Sequence, residues 1–257
     1  MSFVDAHCHL HESSLVEGLE CRGGAVFHHH LLYGVVNGTR PDDWGRVEHI
    51  CLLHENLLPA YGAHPWHVDN LPDNWFDQLK IRVSNKRASV GEIGLDFSPG
   101  KPDRAKQEAI FLLQLGLARD LNNPVSIHCV KAWPRLTSLI EKHGGPRRGF
   151  LLHAYSGGQE FVYRLAELGA YFSCPPSFLL QTKRAHLEVF RSVPGDRILP
   201  ESDFPSSRTF EPIISMDSID AYVDVLGGVY SDLANFFGLP QEELSERFQR
   251  NFSSLFP

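Results

Sequence analysis

Short apolar runs alternate along this chain with longer stretches in which apolar residues recur every three or four positions. The short runs predict buried parallel strands, and the longer periodic stretches predict helices. The first strand begins at Phe3 and is followed by apolar runs at 31–36, 58–63, 88–96, 125–128, 149–153, 170–173 and 197–203.

Helical patterns fill most of the segments between these runs. Thr39, with two carboxylates close behind it, is typical of a helix start. Further helices are predicted at 72–84, 102–122, 133–143, 217–237 and 241–250. In the clearest of them, spacings of three and four predict one apolar face formed by Ile110, Leu113, Leu117 and Leu121.

Eight strands, each followed by a helix or a long loop, predict an α/β fold of the (β/α)8 TIM-barrel type. A doubly wound open sheet is the competing layout, but no glycine-rich phosphate loop follows the first strand. The chain of 257 residues contains no evident linker or internal repeat. We therefore predict a single domain over residues 1–257.

Composition narrows the class of protein. With 42% hydrophobic and 21% charged residues, the chain has the balance of a globular protein. The five cysteines are scattered and form no CxxC pair, which is typical of reduced intracellular thiols. Neither a signal-peptide pattern nor a membrane-spanning apolar run is evident, so we expect a cytoplasmic protein that does not act at a membrane. No obligate protein partner is evident from the sequence.

The net charge of −7 argues against binding nucleic acid through a broad basic face. It does not argue against a site at which metal ions supply the positive charge.

Residues that can bind metals stand at the carboxyl ends of the predicted strands, where barrel enzymes build their active sites. His7 and His9 share one face of the first strand because side chains alternate along a strand. Asp5 lies deeper on that face and is expected to orient an imidazole. A single histidine at a strand end is usually structural, but six ligand-type groups on five strands favour a metal site: His7, His9, Glu92, His128, His153 and Asp203.

This set is larger than one tetrahedral ion requires, since a catalytic zinc takes about three protein ligands. Two divalent ions bridged by a carboxylate and a water would use all of it, with Glu92 as the predicted bridge. Zinc, manganese and magnesium all accept such ligands. The positive charge left over favours an anionic substrate such as a phosphodiester.

Six sequence motifs resemble, in order and spacing, those of the TatD family of metal-dependent hydrolases. They are Asp5-Ala-His-Cys-His-Leu, Gly62-Ala-His-Pro, Gly91-Glu-Ile-Gly-Leu-Asp96, Ile127-His-Cys, His153-Ala-Tyr-Ser-Gly157 and Glu201-Ser-Asp-Phe-Pro205. The resemblance covers essentially the whole chain. It implies a (β/α)8 barrel of the amidohydrolase superfamily and a metal-dependent deoxyribonuclease, with DNA as the substrate.

The resemblance also implies a role for each matching residue. One ion would be held by His7, His9, Glu92 and Asp203, and the second by Glu92, His128 and His153. Asp203 would be the catalytic residue that orients the attacking water and takes its proton.

Substrate contacts follow from the same resemblance. His64 matches the family's substrate-side histidine, and the turn at Ser156 and Gly157 could offer backbone N–H groups to a phosphate. Val130-Lys131, however, stands where the family commonly has Arg-Asp, so the substrate preference remains open.

Two other functions therefore stay under consideration. One is a hydrolase of a small ester, lactone or phosphoester, as in sister branches of the superfamily. Many of those branches use a carboxylated lysine on strand four, where this chain has Glu92, and this difference favours a nuclease. The other is a metal-binding barrel without activity, which the complete ligand set disfavours.

Overall fold

A parallel eight-stranded sheet forms the centre of the molecule. The structure is a computed structural model, and it describes residues 2–12, 30–205 and 219–256. Each strand pairs in parallel with the next one along the chain. The strands are β1 (Phe3–Cys8), β2 (Leu31–Asn37), β3 (Leu57–Tyr61), β4 (Ser89–Asp96), β5 (Val125–Val130), β6 (Phe150–Leu152), β7 (Ala170–Cys174) and β8 (Ile198–Pro200).

The sheet closes where the end of β1 meets the segment that follows β8. The backbone N–H of Asp203 donates to the carbonyl of His7 at 3.0 Å, and that of His9 donates to the carbonyl of Phe204 at 2.7 Å. The predicted (β/α)8 barrel is thereby confirmed. Closure takes place at the carboxyl ends of the strands and so brings the first and last predicted ligands together.

Helices connect the strands around the outside of the barrel. In the described part of the chain they are α1 (Trp44–Leu53), α2 (Trp75–Val83), α3 (Arg104–Leu121), α4 (Trp133–His143), α5 (Gln159–Glu167), α6 (Arg184–Val189), α7 (Ile219–Phe237) and α8 (Gln241–Leu255). The prediction at 133–143 matches α4, whereas α5 and α6 were not predicted. The predicted start near residue 217 lies outside the described residues.

The predicted helix start at Thr39 is wrong, because α1 begins at Trp44. The carboxylate of Asp43 accepts hydrogen bonds from the backbone N–H and the hydroxyl of Thr39. This interaction holds the segment before α1 as a turn. In the sequence, the carboxylate of Asp43 resembles one in a first helical turn, because acidic residues are common there.

The predicted apolar face of α3 faces the barrel only in part, because Ile110 and Leu117 pack against the core but are only partly buried. Leu113 and Leu121 are 49% and 44% exposed. The face that packs on the barrel carries two glutamines instead, and its buried residues are Gln107, Phe111, Gln114, Leu115 and Ala118.

The two glutamines bind backbone groups at the ends of two strands. Gln114 accepts from the N–H of Ala63 at 2.7 Å and donates to its carbonyl at 3.2 Å. Gln107 does the same for Asp96, at 2.8 and 2.9 Å. Buried backbone groups need hydrogen-bond partners, so the side of α3 that faces the barrel is partly polar. The spacing of the leucines does not predict this side of the helix.

None of the helices in the described ranges is long and apolar enough to cross a membrane.

A pair of matched substitutions in α3 tests this orientation. Leu115 is 1% exposed, so Leu115→Ala should lower the free energy of unfolding by about 2–5 kcal/mol through the cavity it leaves. Leu113→Ala removes the same atoms from the exposed side and should cost less than about 0.5 kcal/mol. Urea unfolding followed by circular dichroism measures both. A larger loss for Leu113→Ala would contradict this packing of the helix.

Candidate metal centre

All six predicted ligands, together with His64, converge at the carboxyl-terminal mouth of the barrel. His7, Glu92 and His128 lie within β1, β4 and β5, while His9, His153 and Asp203 follow β1, β6 and β8. A cavity of about 430 Å³ opens above them, lined by His9, His64, Glu92, His128, His153 and Asp203 among others.

The carboxylate of Glu92 lies at the centre of the group, and its two oxygens face different imidazoles. Oε2 is 3.5 Å from Nε2 of both His7 and His9. Oε1 is 3.3 Å from Nε2 of His64 and of His153, and 3.1 Å from Nδ1 of His128. A single carboxylate therefore joins two sets of nitrogen atoms.

Asp203 completes the first of these sets. Its Oδ1 lies 3.5 Å from Nε2 of His9 and 4.0 Å from Nε2 of His7. Its backbone has a left-handed φ of 49° and donates to the carbonyl of His7. The Asp203 side chain is 22% exposed, compared with 4% for Glu92, so it is the carboxylate more open to the cavity.

Hydrogen bonds on the far sides of the rings orient the two β1 histidines. The carbonyl of Asn37 can only accept, so Nδ1 of His9, at 2.8 Å, carries the hydrogen and the neutral ring has its lone pair on Nε2. Nδ1 of His7 shares a hydrogen bond of 2.9 Å with Oγ of Ser126. The two Nε2 atoms lie 3.1 Å apart.

The prediction that Asp5 orients an imidazole is wrong. Its carboxylate accepts from the backbone N–H of His7, from both donors of Ser202 and from the hydroxyl of Tyr222. Burial raises the pKa of Asp5 to about 7, and the hydrogen bonds from Ser202 and Tyr222 oppose that shift. Asp5 thus ties β1 to the segment after β8, and Ser126 and Asn37 orient the rings.

Burial and charge set the protonation of the central groups. Burial alone would raise the pKa of Glu92, but the surrounding imidazoles, His64 and His153 foremost, hold it well below its usual range. Burial and the neighbouring ring of His153 hold the pKa of His7 well below its usual range. Burial also lowers the pKa of His64, to about 4. At neutral pH Glu92 is therefore ionised, and His7 and His64 are neutral and can act as ligands.

The two imidazoles on β5 and after β6 behave differently, because each has a second carboxylate behind it. Burial opposes protonation of His128, but Asp96, 3.6 Å from Nε2, and Glu92 together raise its pKa. Glu201, 3.4 Å from Nδ1 of His153, and Glu92 likewise raise the pKa of His153 well above its usual range. Both rings are therefore protonated more readily than their burial alone would allow, and a metal ion that binds there would displace the proton.

The arrangement fits divalent metal ions. Tetrahedral coordination with bonds of about 2.1 Å places ligand atoms about 3.4 Å apart. The Nε2 atoms of His7 and His9 lie 3.1 Å apart, and each lies 3.5 Å from Oε2 of Glu92. Oδ1 of Asp203 lies 4.0 Å from the first of these nitrogens and 3.5 Å from the second. On the other side, His64, Glu92 and His128 form a similarly compact group.

Two of the histidines have other neighbours than the sequence predicts. His153 faces Oε1 of Glu92, but it also forms a compact group with His7 and Asp203, and its ring stacks on His7 with centroids 3.9 Å apart. His64, predicted as a substrate contact, lies as close to Glu92 as His153 does. It is therefore a candidate ligand as well.

The other predicted substrate contacts lie farther from the centre. Ser156 and Gly157 are in the loop after β6, and neither is among the described residues that line the cavity. A Cβ on Gly157 would meet the Tyr155 hydroxyl at 2.6 Å, so packing alone accounts for this glycine. Lys131 is exposed at the end of β5 and is likewise not among the lining residues described.

Sequence reasoning missed the residues that support the ligands. Ser126, Asp96 and Glu201 contact His7, His128 and His153 respectively. Asp96 and Glu201 belong to two of the TatD-like motifs, and this is the feature of the sequence that could have identified them as supporting residues.

Gly94 has a steric role in the same region. Its φ is 148°, and a Cβ there would lie 1.9 Å from the carbonyl of His128. Only glycine lets β4 approach β5 this closely.

Comparison with known proteins identifies the family of this chain. The family model described as TatD related DNase matches residues 4–257. The chain belongs to this family.

Three relatives illustrate the family. The uncharacterized metal-dependent hydrolase YjjV of Escherichia coli K12 is 24% identical over 99% of this chain and 97% of its own length. Its crystal structure superposes with a TM-score of 0.87 at 23% identity, over 99% of this chain and 97% of that one. The human deoxyribonuclease TATDN3 is 26% identical over 100% of this chain and 95% of its own length. The 3'-5' ssDNA/RNA exonuclease TatD of Pantoea vagans is 27% identical over 76% of each chain.

Family membership confirms two predictions, the resemblance to TatD proteins and the assignment as a metal-dependent hydrolase.

The hydrogen bond from Ser126 to His7 yields a test that needs no substrate. Ser126→Ala should weaken binding of divalent metal by about 10–100-fold, the usual loss when a ligand's orienting partner is removed. Ser89→Ala is the matched control, because Ser89 is equally buried and its hydroxyl has no hydrogen-bond partner among the described residues. Competition with a chelating dye measures both affinities. Equal affinities in the two variants would show that Ser126 does not support a metal ligand.

Proposed function

We propose that this protein is a hydrolase that uses two divalent metal ions to cleave phosphodiester bonds in DNA. The observation that carries the proposal is the division of the Glu92 carboxylate, with Oε2 facing His7 and His9 and Oε1 facing His64, His128 and His153. A carboxylate placed in this way is suited to bridge two ions.

The ligands divide between the two sides of Glu92. His7, His9 and Asp203 would hold one ion with Glu92, while His128 and His153, joined by His64, would hold the other. When bound, such a pair supplies a water of lowered pKa and positive charge for the oxygens of the attacked phosphate.

Asp203 is the side chain placed to handle the proton of the attacking water. It borders the cavity, and its Oδ1 lies 3.5 Å from Nε2 of His9, so it lies between the proposed ligands and the open cavity. A carboxylate in this position can orient a water and accept its proton. We therefore assign Asp203 as the general base and Glu92 as the bridging ligand.

Charge favours an anionic substrate. Two divalent ions outweigh the two carboxylates that would bind them, so the cavity becomes positive even though the whole chain has a net charge of −7. The names of two relatives, a deoxyribonuclease and an ssDNA/RNA exonuclease, support DNA as the anion. Zinc, manganese and magnesium all remain candidate metals, since histidine and carboxylate ligands accept each of them.

Cleavage of a single-stranded oligonucleotide tests the activity. The metal-loaded protein should release shorter products in the presence of at least one of Mg²⁺, Mn²⁺ and Zn²⁺, and chelation should stop the reaction. Glu92→Gln should lower kcat/KM by at least about 100-fold, because the bridging carboxylate is lost. Glu246→Gln, an exposed carboxylate on α8, is the matched control. Products are resolved by denaturing electrophoresis.

Two results would contradict the proposal. Faster turnover of small esters or lactones than of DNA would assign the site to the other class of hydrolase. Tight metal binding without turnover of any substrate would indicate a barrel that binds metal but is not an enzyme.

Metal stoichiometry tests the two-ion arrangement separately. Native mass spectrometry of the reconstituted protein should show about two ions per chain. His9→Gln and His128→Gln lie on opposite sides of Glu92, so each should reduce the content to about one ion. His143→Gln, an exposed histidine at the end of α4, should retain the full content. A single ion in the wild-type protein would rule out the bridged pair.

A further inference from the structure

The cavity at the barrel mouth contains a guanidinium that the candidate metal centre does not use. Arg40 lines this cavity, and no other lysine or arginine is among its described lining residues. Its side chain is partly buried, with Nη1 3.5 Å from Nε2 of His67. Among the described residues, no carboxylate forms an ion pair with it.

The backbone that precedes Arg40 is fixed to the metal centre. The N–H of Glu92 donates to the carbonyl of Gly38 at 2.8 Å, and the N–H of His64 donates to the carbonyl of Thr39 at 2.9 Å. The hydroxyl of Thr39 donates to the buried carboxylate of Asp43 at 2.7 Å. The guanidinium therefore projects from a backbone that is held against two residues of the centre.

The chemistry of this pair points to an anion. A guanidinium has five N–H donors in a planar fork that matches the oxygens of a phosphate. His67 occupies one of its nitrogens and leaves the others free to donate. Because a guanidinium can only donate, Nε2 of His67 is the acceptor in this contact and brings no competing donor to the subsite.

We propose that Arg40, oriented by His67, forms an anion subsite that binds a phosphate group flanking the phosphodiester that is cleaved. The inference rests on the proposed function, because it assigns a second contact to the same substrate. The cavity of about 430 Å³ falls in the range of about 300–1,000 Å³ typical of ligand sites, so it has room for more than the reacting group. Lys131, at the end of β5, is exposed and does not line the cavity in the described part of the chain.

Dinucleotides that differ by one phosphate test the subsite. The metal-loaded enzyme is given dTpdT, which has only the scissile phosphodiester, and then pdTpdT and dTpdTp, each with one additional terminal phosphate. In the wild-type protein one of the additional phosphates should raise kcat/KM by about 10–100-fold, the value of a charge-assisted contact. The gain should be mainly in KM, because the flanking phosphate does not change during the reaction.

Substitution of Arg40 should remove this gain. In Arg40→Gln the ratio of kcat/KM with and without the additional phosphate should fall to about one, and Arg40→Lys should keep part of it, because an ammonium lacks the planar fork. Arg46→Gln, an exposed arginine on α1, is the matched control and should keep the full ratio.

The outcomes separate the two proposals. If the wild-type enzyme cleaves none of these dinucleotides or longer DNA with any of the three metals, the proposed function fails, and the subsite fails with it. If dTpdT is cleaved but neither additional phosphate helps, or if the gain survives in Arg40→Gln, the subsite alone is overturned.

Discussion

The burial of one carboxylate among five imidazoles is the constraint on which the rest of this site depends. An ionised Glu92 that is only 3% exposed would be strongly destabilising without positive charge around it. Protonation of His128 and His153 can supply that charge, and divalent cations can supply it better because the neutral His7 and His64 would then become ligands. The geometry that gives Glu92 a large desolvation penalty also suits it to bridge two ions, since each of its oxygens faces its own set of imidazole nitrogens.

The barrel determines where these groups lie, largely through backbone contacts. Gly94 allows β4 to approach β5, which brings Glu92 to His128. Closure between β1 and the segment after β8 brings Asp203 to His7 and His9. The hydrogen bonds of Asp5 to Ser202 and Tyr222 reinforce that closure from below. The ligand distances therefore depend on strand pairing, which is more rigid than a loop would be.

The sequence predicted most of the fold and the residues of the centre, because both depend on local features. Apolar runs mark parallel strands, and a histidine or carboxylate at a strand end must lie at the barrel mouth. Supporting residues were less predictable, since the pairing of Ser126 with His7 joins positions 119 residues apart. The face of α3 was predicted only in part because Gln107 and Gln114 bind strand ends. Leucine periodicity carries no information about such polar contacts.

The distribution of charge limits how a nucleic acid could reach this centre. The net charge of −7 gives the protein surface no broad attraction for DNA, and salt screens charges beyond about 8 Å at physiological ionic strength. In the proposed function, attraction for DNA would therefore come from the mouth itself, where two bound ions and Arg40 would supply the positive charge. A cavity of about 430 Å³ has the size of a small-ligand site, so it would admit a strand end or an unpaired nucleotide more readily than a duplex. If DNA is the substrate, as proposed, local charge and cavity size together favour single-stranded ends as the part that this site would engage.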